Sequence, residues 1–91
     1  MNKSLDSIEK EVYRIVADVL KIDIALLEPE TDLIDTFQAD SLDALEIVLT
    51  TQKVFGFEVD DSQIPMLRTP KQIIECIADA LKIENQHTVS I

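Results

Sequence analysis

The sequence has very few of the residues on which several common kinds of site depend. It contains one glycine, one cysteine, one histidine and no tryptophan in 91 residues. One cysteine cannot form an internal disulfide, and without a Cys/His cluster we expect no metal site. Cys76 lies beside a predicted core stripe and is expected to be a buried, unreactive thiol. His87 has no evident nucleophile partner, so we expect a protein that is not an enzyme.

Basic residues are also scarce. Eight Lys and Arg residues stand against 18 Asp and Glu residues, which gives a formal net charge of −10. This charge repels phosphate backbones and anionic membrane surfaces, and it argues against nucleic acid as a partner. It attracts basic patches on other proteins, in a salt-dependent manner. The alternative explanation of the charge is simple solubility.

Long apolar runs are absent. No segment is apolar over the length needed to cross a bilayer, and residues 1–10 lack the apolar region of a signal peptide. The sequence predicts a cytoplasmic protein without a membrane span, and we expect a monomer. One helical domain is expected over residues 1–83, with a disordered tail over residues 84–91.

Three amphipathic helices are predicted from apolar residues that recur at helical spacing. They cover residues 4–20, 41–55 and about 70–82. Gly56 follows the second helix at the position where a left-handed C-terminal cap favours glycine. Thr69, Pro70 and Gln72 form the start signal of the last helix, with Thr69 and Gln72 as a capping box.

The two connecting segments carry weaker signals. Residues 21–40 are predicted to be a long loop pinned by apolar side chains, because Pro29 breaks any helix there. In residues 57–68, a short helix is expected to start near Asp60, and Pro65 limits it to about one turn. The predicted fold class is all-α, a small helical bundle of three main helices plus a short third helix.

The second helix has one apolar stripe more than a bundle helix needs. At ~100° per residue, one stripe contains Ala44, Ile47, Val48, Thr51 and Phe55. A separate stripe contains Leu42, Leu45 and Leu49, which lies beside Ser41. We expect the leucines to be exposed and to dock on partners, since their spacing suits a helix that fits a groove. The alternative is that both stripes are buried, one of them under the long loop.

The residues around Ser41 carry a family resemblance. The run Asp40-Ser41-Leu42, followed soon by an acid, resembles the modification site of acyl carrier proteins. The helix that opens there ends in Phe55-Gly56, which matches the family's ending at the right distance. The resemblance covers residues from about 4 to 82, and it implies the four-helix bundle of the acyl carrier family.

The resemblance also implies a function. A phosphopantetheinyl transferase would attach 4′-phosphopantetheine to the Ser41 oxygen, beside Asp40 and Leu42. The thiol of this covalent arm would carry acyl groups as thioesters, in fatty-acid synthesis or a related specialised pathway. Partners would include acyl-transfer and acyl-processing enzymes with basic patches. Taken alone, Ser41 is better explained as a capping serine, and the resemblance over the whole domain reverses that preference.

Two further sets of residues are predicted to serve the carrier role. The partner-binding face would consist of Leu42, Asp43, Leu45, Glu46 and Leu49. The positions that line the acyl pocket in similar proteins correspond to Leu33, Ile34, Val59, Ile64, Leu67 and Ile73.

Some positions depart from the family pattern. Gln38 stands where the family usually has glycine, Lys53 replaces an acid, and Pro65 is expected to shorten the third helix. These departures suggest a specialised carrier with its own partner enzymes. Two alternatives remain: an unmodified acidic interaction module that uses the Leu42, Leu45 and Leu49 face, or a peptidyl or aminoacyl carrier.

Overall fold

The computed structural model describes residues 5–81, so the predicted tail over residues 84–91 lies outside the described residues. The helices are α1 (Leu5–Leu20), α2 (Leu33–Phe37), α3 (Ser41–Phe55) and α4 (Pro70–Leu81), with 3₁₀-helices at Ile24–Leu26 and Asp61–Met66. No strand occurs in the described part of the chain. The predicted all-α bundle is confirmed, and the three main helices begin and end within a residue or so of their predicted bounds.

Helix α1 supplies the centre of the core. It packs against both α3 and α4, and its Ile8, Val12 and Val16 side chains are fully buried. The helix ends at Lys21, whose φ of 58° is left-handed. The Ile22 amide then donates to the Ala17 carbonyl at 3.0 Å, a bond that closes the last turn.

Both predicted helix signals on α3 and α4 are confirmed. Gly56 has a φ of 70°, and its amide donates to the Gln52 carbonyl at 2.8 Å. At the start of α4, the Gln72 amide donates to Thr69 Oγ1 at 3.1 Å. The Gln72 side-chain oxygen in turn accepts from the Thr69 amide at 3.1 Å. These bonds satisfy backbone groups that a helix terminus leaves free.

The prediction of a loop over residues 21–40 is wrong, because this segment contains α2. Asp32 caps α2 by accepting from the amides of Ile34 and Asp35 at 3.0 and 2.9 Å. The helix ends at Gln38, which has a left-handed φ of 60°. A helix of five residues is too short to show helical periodicity in the sequence.

The 3₁₀-helix at Asp61–Met66 is longer than predicted and contains Pro65. In an α-helix, the proline ring clashes with the carbonyl four residues earlier. A 3₁₀-helix joins residues three apart and tolerates the ring here. The prediction that Pro65 limits this segment to about one turn is therefore wrong.

Arg68 fastens the first connection to the beginning of α4. Its Nε and Nη2 atoms lie 2.9 and 3.2 Å from the two carboxylate oxygens of Asp32, and Nη2 lies 3.5 Å from Asp35 Oδ1. The Leu33 amide also donates to the Arg68 carbonyl at 2.8 Å. The hydrogen bond from Arg68, followed by that from the Asp35 amide, lowers the pKa of Asp32.

Two of the left-handed positions at helix ends, Gly56 and Gln38, predict substitutions of opposite effect. Gly56→Ala should destabilise the protein by about 1 kcal/mol, because an L-residue is disfavoured at positive φ. A Cβ there meets no atom within 4 Å, so steric contact adds nothing. Gln38→Gly should stabilise the protein by about 0.5 kcal/mol. The substitution relieves the cost of a left-handed L-residue, and the greater conformational entropy of glycine in the unfolded state offsets part of that gain. Chemical denaturation measures both changes.

Gln38→Ala is the matched control, because it removes the exposed side chain and keeps the Cβ. It should leave the free energy of unfolding near the wild-type value. If Gln38→Ala stabilises the protein as much as Gln38→Gly, left-handed strain is not the cause.

The Asp32–Arg68 pair predicts a pH dependence. The folded pKa of Asp32 is lowered, so its contribution is present above the unfolded pKa of about 3.9 and is lost as pH falls through the folded pKa. Asp32→Asn should therefore destabilise the protein at neutral pH. The gap in free energy of unfolding between the two proteins should shrink progressively below about pH 4.

Glu58→Gln is the control for general relief of negative charge. Glu58 is exposed and has no ion pair within residues 5–81. Its neutralisation should not reproduce the neutral-pH loss. If the difference in free energy of unfolding between wild type and Asp32→Asn stays constant down to acid pH, the ion pair does not have this role.

Candidate functional site

Ser41 is the first residue of α3, and Asp40 is the cap. The Asp43 amide donates to Asp40 Oδ1 at 2.9 Å, and the Asp40 amide donates to Asp43 Oδ2 at 3.2 Å. These reciprocal bonds form a capping box. The alternative that Ser41 itself is a capping serine is therefore wrong, and its side chain is not used to start the helix.

The Ser41 side chain is exposed. Its hydroxyl has no hydrogen-bond partner among residues 5–81, and neither do the amides of Ser41 and Leu42. Free first-turn amides and the positive end of the helix dipole together favour a phosphate group. The start of α3 thus has an available hydroxyl in a place that tolerates a phosphodiester.

The surplus stripe of α3 is exposed. Leu42, Leu45 and Leu49 are 73%, 38% and 50% exposed, whereas the other stripe supplies Ile47, Val48, Thr51 and Phe55 to the interior. The alternative in which both stripes are buried is wrong. The buried Thr51 hydroxyl is satisfied by donating to the Val48 carbonyl at 2.8 Å.

Two acids accompany the leucines. Glu46 is exposed on α3, and Asp43 is half-buried where it takes part in the capping box. The five predicted partner-binding residues therefore lie on one helix. All three leucines keep a substantial part of their surface exposed, and Leu42 is the least covered of them.

A cavity of about 480 Å³ lies between α2, α3, the Asp61–Met66 helix and the start of α4. This volume is in the range of ligand-binding pockets, which is roughly 300–1,000 Å³. Five predicted pocket residues line it, namely Leu33, Ile34, Ile64, Leu67 and Ile73. Asp40 and Ser41 line it as well, so the free hydroxyl stands at the cavity wall. Val59 is not part of the lining and packs, half-buried, against the core.

Sequence reasoning missed part of this lining. Ala39, Ala44, Ile47, Val48, Pro65 and Arg68 also face the cavity. Ala44, Ile47 and Val48 were predicted only as core, although the small alanine is a signal for space beside a helix. Arg68 gave no periodic signal, and only its acidic partners in the Asp32-x-x-Asp35 pattern could have pointed to it.

Cys76 offers no second nucleophile. It is half-buried on α4 rather than fully buried as predicted. Burial, followed by the nearby Asp79 carboxylate, raises the pKa of the thiol. Since the thiolate is the reactive form, the thiol is held in its unreactive state near neutral pH.

Within residues 5–81, no group of three or more His, Cys, Asp or Glu residues is placed to hold a metal ion. Among the helices of the same residues, none has the length and apolarity to span a membrane.

Comparison with known proteins agrees with the geometry around Ser41. The family model described as "Phosphopantetheine attachment site" matches residues 10–77. An acyl carrier protein of Coprothermobacter proteolyticus is 30% identical over 76 residues, covering 84% of this chain and 93% of the relative. Acyl carrier proteins of Syntrophobacter fumaroxidans and Thermosynechococcus vestitus are 31% and 34% identical, covering 79% and 85% of this chain and 89% and 93% of the relatives.

The match spans most of the chain and nearly the whole length of each relative. It contains the capped start of α3, the cavity and the exposed leucines. The chain therefore belongs to the acyl carrier protein family, a family of non-catalytic carriers that bear a phosphopantetheine group.

Proposed function

We propose that Ser41 carries the 4′-phosphopantetheine arm and that the protein carries acyl groups on it as thioesters. The pathway is fatty-acid synthesis or a related specialised acyl pathway in the cytoplasm. One observation carries this proposal: the Ser41 hydroxyl is exposed, has no partner among residues 5–81, and lies at the wall of the cavity.

The attachment reaction uses the free hydroxyl. Ser41 Oγ attacks the phosphorus that bears pantetheine in coenzyme A, the nucleotide part leaves, and the hydroxyl proton passes to a base on the transferase. The amides of Ser41 and Leu42 are available to the new phosphodiester. When bound, the arm supplies the thiol that holds the acyl group.

The neighbouring carboxylates suit the transferase as well. Asp40 and Asp43 are fixed in the capping box, so their charge stands beside Ser41 in a defined place. Carboxylates in this position can face basic groups or a divalent ion on the transferase. The capping box therefore does two things at once. It fixes the backbone at the start of α3, and it fixes the positions of the two negative charges beside Ser41.

The cavity is the proposed site for the acyl chain. Its wall is largely apolar, with contributions from Leu33 and Ile34 on α2, Ile64 and Leu67 on the opposite side, and Ile73 on α4. Burial of apolar chain surface is favourable at about 25 cal/mol per Å². A chain in this cavity is shielded from water while the arm remains anchored at Ser41.

The exposed face of α3 is the proposed docking surface for partner enzymes. It consists of Leu42, Asp43, Leu45, Glu46 and Leu49. Apolar side chains with an acidic edge fit a partner groove with a basic rim. Lys53, exposed in the last turn of the same helix, places a positive charge near the end of this surface. Because the family usually has an acid at this position, Lys53 supports the proposal that the partner enzymes belong to a specialised pathway.

Modification should depend on Ser41 alone. Incubation with coenzyme A and a phosphopantetheinyl transferase should add the mass of one phosphopantetheinyl group to the wild-type protein and none to Ser41→Ala. Ser62→Ala is the matched control, because Ser62 is also exposed, also follows an aspartate, and also stands at a helix start. Intact-mass spectrometry should show full modification of Ser62→Ala.

Two results would count against this assignment. Modification of Ser41→Ala would place the arm elsewhere. A wild-type mass that several transferases leave unchanged, together with partner binding that survives Ser41→Ala, would favour an unmodified interaction module.

The leucine face should contribute to transferase and partner binding without contributing to folding. Leu49→Gln should lower kcat/KM for modification about tenfold, which corresponds to about 1.4 kcal/mol of lost apolar contact. Its free energy of unfolding should change by less than about 0.5 kcal/mol, since Leu49 is an exposed position.

Val54→Gln is the control for this substitution. Val54 is 42% exposed on α3 but lies on a different face from the leucines. It should leave kcat/KM near the wild-type value. Equal losses for Leu49→Gln and Val54→Gln would show that general surface polarity, and not the leucine face, controls modification.

A further inference from the structure

One side chain in the cavity differs from all the others that line it. Among residues 5–81, Arg68 is the only basic residue of the lining, which is otherwise apolar except for Asp40 and Ser41. A saturated acyl chain gains nothing from a guanidinium group beside it. The ion pair with Asp32 explains why Arg68 lies at this wall, but it leaves open what the remaining guanidinium donors do there.

The guanidinium group of Arg68 is only partly used. Arginine has five N–H donors. The Nε and Nη2 atoms are directed to Asp32 and Asp35, whereas Nη1 has no acceptor among residues 5–81. Arg68 is thus held in place on one side by carboxylates and keeps donors that a ligand oxygen can use.

The charge around Arg68 restricts what that oxygen can belong to. Asp32 lies 2.9 Å and Asp35 lies 3.5 Å from the guanidinium nitrogens, and Asp40 lines the same cavity. The two carboxylates beside this one cation already leave the local charge negative, and Asp40 on the same cavity wall adds to it. A carboxylate on the cargo would be repelled by this surplus, whereas a neutral carbonyl or hydroxyl oxygen accepts a hydrogen bond without that penalty.

We propose that Arg68 determines cargo specificity by donating a hydrogen bond to a neutral oxygen, keto or hydroxyl, on an acyl chain in the cavity. This inference rests on the proposed function, in which the chain on the Ser41 arm enters this cavity. The class of cargo is an oxygen-bearing acyl chain, in preference to one that ends in a carboxylate. The apolar wall holds the chain, and Arg68 selects its oxygen.

A purely structural role for Arg68 makes a different prediction. If Arg68 only fastens α2 to α4, its loss should weaken the protein by the same amount whatever the cargo. If Arg68 contacts the cargo, its loss should discriminate between cargoes. The informative quantity is therefore the difference in Tm between two loaded forms of the same variant.

The experiment loads the full chain with non-hydrolysable amide analogues of three acyl groups of equal length. One is saturated, one carries a keto group near the thioester position, and one ends in a carboxylate. Loading uses a phosphopantetheinyl transferase and is checked by intact mass. Wild type, Arg68→Met, Arg68→Lys and Arg14→Met are compared, the last being a control on α1, where Arg14 is ion-paired with Glu11.

In Arg68→Met, the Tm of the keto-loaded form should fall relative to the saturated-loaded form by about 4–8 °C more than in wild type. In Arg68→Lys, the Tm of the keto-loaded form relative to the saturated-loaded form should return part of the way to the wild-type value. Lysine keeps a hydrogen-bond donor but lacks the planar guanidinium group. Arg14→Met should leave the gap unchanged. In NMR spectra of wild type, the side-chain N–H resonances of Arg68 should shift with keto cargo and stay in place with saturated cargo.

An unchanged gap in Arg68→Met overturns the proposal, as do Arg68 resonances that respond equally to saturated cargo. A larger response to the carboxylate-ended chain overturns the assigned class of cargo. Failure of the transferase to load any chain is a different result, seen by mass before any Tm is measured, and it contradicts the proposed function instead.

Discussion

The capping box at the start of α3 is the interaction on which the site depends. Asp40 accepts from the Asp43 amide, and Asp43 accepts from the Asp40 amide. Because the two aspartates satisfy each other, the helix begins without help from the Ser41 hydroxyl. A serine used as the cap would have its oxygen turned towards the helix amides. With Asp40 as the cap, the serine oxygen is left for chemistry, and two first-turn amides are left for a phosphate.

The cavity depends on a second set of contacts, which hold its walls at a distance. The Arg68 side chain donates to Asp32, which caps α2, and the Leu33 amide donates to the Arg68 carbonyl at 2.8 Å. The Lys71 amide donates to the Pro29 carbonyl at 3.0 Å, which adds a second tie between the connection and α4. These polar bonds fix the connection to the start of α4, and its Leu27 and Leu33 side chains are buried in the core. Alanines at positions 39 and 44 then leave room beside α3.

The parts of the fold that could be predicted are those with repeated or local signals. The bounds of α1 and α3, the glycine cap at Gly56 and the capping box at Thr69 follow from periodicity and from residue types with one preferred position. Helix α2 could not be predicted, because five residues show no period. The two-stripe pattern of α3 identified the leucine face, since a bundle helix buries one stripe. Arg68 was missed because its role depends on Asp32, which is distant in sequence.

Three parts of the surface of helix α3 have different roles, and these roles explain why the helix has two apolar stripes. Its first turn presents Ser41, its inner face supplies Ile47 and Val48 to both core and cavity, and its outer face presents the leucines. A helix with a single stripe could serve the core, but it would have no apolar surface left for a partner. Asp43 and Glu46 at the edge of the second stripe, together with the net negative charge, counteract the low solubility of exposed leucines. The net charge of −10 opposes contact between the exposed leucines of two copies of the chain, and it favours approach to positively charged surfaces.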